Sequence, residues 1–136
     1  MMNIISERRS ITGLSITLSI LVLFHLLIML EVIPFDIVWG DRLKDKSQML
    51  RFEITSVIIN FIMLGVVAIK AGVLKVGINN LVINVMLWIM SGLFFMNVFG
   101  NLLSNNNFER IVFTPITIFL LVCSLRLAIG ARPPKH

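Results

Sequence analysis

Four long apolar runs, separated by short polar links, organise this chain. The first covers residues 11–33 and carries only His25 and Glu31 as ionisable groups before Pro34, a helix stop. The second, 54–69, is extended by Phe52 and Glu53 in front and by Lys70 behind, whose ammonium can snorkel to an interface. The third, 81–103, holds no charged residue, and the fourth, 111–129, holds Arg126 near its end. About 20 apolar residues cross a bilayer as a helix. None of the runs alternates strictly, as a barrel strand would, and only helices and closed barrels satisfy their backbone in lipid. The pattern predicts four transmembrane helices, at 11–33, 52–70, 81–103 and 111–130, in one all-α domain over 1–136.

The links, 35–50, 71–80 and 104–110, are short. Short links favour an integral-membrane four-helix up-down bundle of sequential neighbours. Seven of the Lys and Arg residues fall on the side of the termini and the second link, and five on the other. That bias places both termini in the cytoplasm of a multi-pass cell-membrane protein. The first run is too long for a signal-peptide core and no small-x-small site follows it, so it is expected to be retained.

Composition narrows the class further. Of 136 residues, 57% are hydrophobic and 14% charged, against about 25% charged in soluble domains. This excludes an ordinary soluble domain, a disordered chain and a disulfide scaffold. The net charge of +5 comes from cations dispersed over links and helix ends, where membrane proteins carry them. They form no patch for nucleic acid. The lone Cys123 excludes an intrachain disulfide and a cysteine-pair electron relay. HExxH, GxSxG, P-loop and GxGxxG motifs are absent, as is any histidine pair at ligand spacing. No metal or cofactor is expected.

Polar groups inside a membrane are expensive and mark function by default. In the up-down arrangement they gather in one half of the bundle. His25 and Glu31 lie toward the end of the first helix, and Glu53, Ser56 and Asn60 share a face at the start of the second. Asn97, Asn101 and Ser104 stripe the end of the third, and Thr114 and Thr117 flank Pro115 in the fourth. Structural roles compete with functional ones. Glu31 and Glu53 can pair with Arg42, Lys46 or Arg51, and the asparagines can be interhelical glue worth about 0.6 kcal/mol each. His25 can bond a neighbouring helix or carry a proton. Ser15 and Ser19 read as a small-xxx-small packing face. In the first link, Asp36, Asp41 and Asp45 alternate with cations and match no calcium loop.

The stretch 31–60, with Pro34, the segment Trp39-Gly40-Asp41-Arg42-Leu43 and Glu53, resembles small uncharacterised four-helix membrane proteins of bacteria. The resemblance implies class and topology, and singles out His25, Glu31, Trp39, Arg42 and Glu53. The expected function is a polar cavity in one half of the bundle that binds a small amphiphile, lipid or cationic ligand. The candidate site is His25, Glu31, Trp39, Arg42, Glu53, Asn60, Asn97 and Asn101. Membrane lipids and a second copy of the chain are the expected partners. The alternatives are an oligomeric transporter or channel subunit, and a structural or accessory subunit. Acid–base catalysis by His25 with Glu31 or Glu53 stays open.

Overall fold

A computed structural model describes residues 6–33, 45–104 and 107–130. Three helices, α1 (Glu7–Met29), α2 (Lys46–Lys70) and α3 (Asn80–Leu102), precede a π turn at Glu109–Phe113 that runs into α4 (Thr114–Gly130). Four helical segments, the last taken as Glu109–Gly130, are long and apolar enough to cross a membrane.

Local chemistry sets the ends. Ser6 Oγ accepts from the Arg9 amide at 3.1 Å and starts α1 with Glu7 in its first turn. Asp45 Oδ1 accepts from the Gln48 amide at 2.8 Å and Asn79 Oδ1 from the Leu81 amide at 2.8 Å, capping α2 and α3. The Asp45 cap opens α2 at Lys46, ahead of the expected residue 52. The intervening turn mixes Lys46, Ser47, Gln48 and Arg51 with Met49 and Leu50 and is therefore weak in hydropathy.

α1 stops at Met29, short of the expected residue 33, because the backbone turns left-handed at Glu31 (φ 62°). The Val32 amide donates to Leu27 O at 2.9 Å and the Glu31 amide to Ile28 O at 2.9 Å. This pair of bonds is a Schellman stop. α2 ends by the same motif at Gly72 (φ 79°), with bonds from Val73 to Ala68 and from Gly72 to Ile69. Gly72 is the residue such a position favours; Glu31 is not.

The π turn has a local cause as well. Pro115 brings no amide hydrogen and its ring crowds the carbonyl four residues earlier, and the wide turn lies directly before it. Thr117 Oγ1 donates into the loosened ladder, 2.8 Å from Phe113 O and 3.0 Å from Thr114 O.

α1 packs on α2, and α3 on α4; α1 also packs on α4, while α2 and α3 touch less than any of these pairs. At one end Glu7 pairs with Lys70 across α1 and α2 at 3.6 Å, and beyond the other end Glu31 pairs with Lys46 at 3.6 Å. The larger apolar cluster includes Leu14, Leu18, Val67, Leu87, Leu120, Cys123 and Leu127. A smaller one, Ile28 and Met49 with Phe24, Ile33, Leu50 and Phe113, closes the end where α1 stops.

α1 comes close to α4 at Gly13, where a Cβ would lie 2.7 Å from Phe119 Cζ. Ser15 is half-buried and Ser19 exposed, and the Ser19 hydroxyl turns back to Ser15 O at 2.7 Å. The buried hydroxyl pair is Ser91 and Ser124, 3.0 Å apart between α3 and α4. Large apolar side chains cover the exterior, among them Ile16, Ile20, Leu23, Phe61, Ile62, Trp88, Phe95, Met96 and Ile111. A soluble monomer rarely exposes contiguous apolar area on this scale.

Candidate functional site

A cavity of about 280 Å³ lies between the two apolar clusters and takes wall residues from both. Each helix contributes. His25 with Leu21 and Phe24 comes from α1, and Ser56 and Asn60 with Ile59 and Met63 from α2. Asn97 and Asn101 with Leu93 and Phe94 come from α3, and Glu109, Phe113, Thr117 and Leu120 from the π turn and α4. Ser56 and Asn60 share a face because they are four residues apart, as are Asn97 and Asn101. The π turn brings Glu109 and Phe113 to the same wall, and Phe113 stacks edge-on against Phe24 at 5.2 Å.

Behind this wall stands the one buried carboxylate among the described residues. Glu53 is fully buried and does not line the cavity. His25 donates from Nδ1 to Glu53 Oε2. A charge taken out of water must be paired and hydrogen-bonded, and the imidazole supplies one such partner. The bond also orients the ring: with Nδ1 committed to Glu53, Nε2 is the ring's remaining polar atom. Among the described residues Nε2 has no hydrogen-bond partner.

Comparison with family models, with curated proteins and with solved structures gives no match. The site therefore has to be read from its own chemistry.

Of the residues singled out from sequence, His25, Asn60, Asn97 and Asn101 line the cavity, and Glu53 touches it only through His25. Glu31 lies apart, more than half exposed and paired with Lys46, because the left-handed turn carries it off the end of α1. Trp39 and Arg42 lie outside the described residues. Sequence reasoning missed Glu109 and Phe113 as wall residues, having placed Glu109 in a link. The signal was Pro115: a proline in the first turns of an apolar helix foretells a widened turn upstream. Glu109 Oε2 accepts from Ser104 Oγ at 2.5 Å, which anchors it beside the end of α3. No group of three or more potential metal ligands occurs among the described residues.

The polar residues differ in what they bond. Asn101 Nδ2 reaches Thr117 Oγ1 across α3 and α4 at 3.3 Å. Asn60 Nδ2 instead donates to Ser56 O of its own helix at 2.7 Å. The Asn97 side chain has no hydrogen-bond partner among the described residues, and it is exposed to the cavity side of α3.

Proposed function

We propose that this chain is an integral membrane protein, a four-helix up-down bundle in the cell membrane with both termini cytoplasmic. It binds a small amphiphile or lipid in the cavity between its two apolar clusters. The apolar exterior supports the membrane reading. One observation carries the binding reading: polar side chains from all four helical segments line a single cavity walled by Leu, Ile, Met and Phe. A few convergent polar groups in an apolar wall is the usual form of a small-molecule site, and 280 Å³ is near the lower end of the range, about 300 Å³.

A purely structural role for the asparagines fits less well. Helix glue requires bonds between helices, and among the described residues only Asn101 of the three makes one. A pore through a single chain also fits less well. Beyond the cavity the bundle is filled by Leu14, Leu18, Val66, Val67, Leu87 and Leu127, with Ser91 and Ser124 bonded to each other.

The test is native mass spectrometry of the protein released from lipid nanodiscs. A monomer carrying a defined small molecule, lost on Asn97→Leu and Asn60→Leu, is the expected result. An empty discrete oligomer would replace this reading with a transport subunit, and an empty monomer would replace it with an accessory role.

A further inference from the structure

The link between α2 and α3 carries one charge, Lys75, among apolar side chains. Val73, Leu74, Val76 and Ile78 are all exposed, Val73 to 82%. The left-handed turn at Gly72 and the Asn79 cap bound the link, and residues 75–78 form no regular structure between them. Among the described residues, none of the amides of 75–78 donates to a backbone carbonyl. These two properties set a depth. Unpaired amides exclude the hydrocarbon core, where each would go unsatisfied. Exposed apolar side chains disfavour bulk water. The headgroup level meets both demands: water reaches the backbone while the side chains enter the acyl boundary.

The same end of the bundle is basic. Glu7 pairs with Lys70 at 3.6 Å. A Cβ built at Gly130 would meet the Arg126 guanidinium and lie 3.8 Å from Glu7 Oε2, so the start of α1 stands with the ends of α2 and α4. Among the described residues this end sets Arg8, Arg9, Lys70, Lys75 and Arg126 against a single carboxylate, Glu7. The opposite end sets Lys46, Arg51 and Arg110 against Glu31, Asp45, Glu53 and Glu109. Arg8, Arg9 and Lys75 are exposed, and no described carboxylate pairs with them.

We propose that the α2–α3 link is a membrane-interface element that docks this end of the bundle on anionic phospholipid. Val73, Leu74, Val76 and Ile78 enter the acyl boundary, and Lys75, with Arg8 and Arg9 at the same end, holds lipid phosphates. The inference rests on the membrane reading above and is independent of the cavity. In the orientation proposed there, this end meets the cytoplasmic leaflet, whose surface is negatively charged. Lys75 stands between Leu74 and Val76, and its carbon stem follows them while the ammonium stays at headgroup level. A soluble anion would satisfy the cations and leave the apolar side chains in water. Anionic lipid satisfies both.

The protein in nanodiscs of equimolar phosphatidylglycerol and phosphatidylcholine allows two measurements. Native mass spectrometry counts the lipids that stay bound on release. The parent chain keeps phosphatidylglycerol over phosphatidylcholine by at least about fivefold, the equivalent of about 1 kcal/mol for one basic residue near an anionic surface. Arg8→Gln, Arg9→Gln and Lys75→Gln together, all at exposed positions, bring that ratio near one. A nitroxide on Leu74→Cys or Val76→Cys then reports depth, since Cys123 is fully buried and stays unlabelled. Dissolved oxygen collides with the label more often than a water-soluble nickel chelate does. Equal retention of the two lipids, a preference that survives the triple change, or a label open to the chelate overturns the inference and leaves the membrane reading standing. Spin–spin broadening between labelled copies also overturns it, by assigning the link to a second copy of the chain. A chain that stays in solution without lipid or detergent overturns both.

Discussion

His25 on α1 and Glu53 on α2, 28 positions apart in the chain, share a hydrogen bond through Nδ1 and Oε2, and only the histidine faces the cavity. The pair couples the stability of the α1–α2 contact to the chemistry of the cavity wall. Removing the imidazole takes one hydrogen-bond partner from the buried Glu53, and losing a hydrogen bond to such a group costs about 1.5–3 kcal/mol. His25→Leu is therefore expected to destabilise the fold by about 2 kcal/mol. Combining it with Glu53→Leu, which removes the buried carboxyl as well, recovers part of the loss. A double-mutant cycle on unfolding free energies in detergent micelles measures the coupling. Additive losses would mean that the bond contributes nothing.

Glu31 occupies a position suited to glycine. The left-handed region costs a residue with a Cβ about 1–2 kcal/mol, and the freer unfolded chain of glycine returns about 0.5–1 kcal/mol of that. The Glu31–Lys46 pair is largely exposed and contributes little. Glu31→Gly is expected to stabilise the protein by up to about 1 kcal/mol. Gly72→Ala, at the equivalent place after α2, is expected to destabilise by about 1 kcal/mol. Thermal unfolding of the two variants against the parent protein checks both signs together.

Pro115→Ala restores the missing amide and removes the reason for the π turn. Closing one extra residue of helix rotates the preceding segment by about 100°. Glu109 and Phe113 then leave the cavity wall, while the apolar cluster around Leu120 and Leu127 is untouched. Retained stability with loss of the bound ligand is the expected outcome. Spin-label distances between the residue 109 region and α1 report the rotation directly; unchanged distances would show that proline is not its cause.

Gly13 faces the Phe119 ring of α4 at close range. Gly13→Ala places a Cβ against Phe119 Cζ, and small-to-large changes in tight packing cost about 1–3 kcal/mol. The ring is partly exposed and can yield, so the lower figure is expected. Gly13→Ala with Phe119→Leu should recover the loss, since the obstructing atom is gone. Failure of that rescue would place the constraint in the backbone instead.

The apolar runs reveal four helices because hydropathy over some twenty residues is a strong signal. Their ends are less legible. The stop at Glu31 depends on one left-handed residue that no glycine announces, and the start of α2 lies in a turn of mixed polarity capped by Asp45. The candidate site divides in the same way. Depth and helical spacing suggest which polar residues share a height, but whether a side chain faces a cavity or a neighbouring helix is decided by packing. Glu53, on the face of Ser56 and Asn60, turns instead to His25. Glu109 escapes notice in a polar segment, and it reaches the wall only through the π turn.

The uneven packing of the four helices has a mechanical consequence. Two tightly joined pairs, α1 with α2 and α3 with α4, meet along the α1–α4 contact as two covers meet at the spine of a book. Widening the free edge between α2 and α3 breaks few contacts and no helix. In water such a movement would expose the apolar interior; in hydrocarbon the acyl chains cover it without hydrophobic penalty. Under the binding function proposed above, loading and unloading proceed sideways, with the buried His25–Glu53 pair kept intact inside one cover.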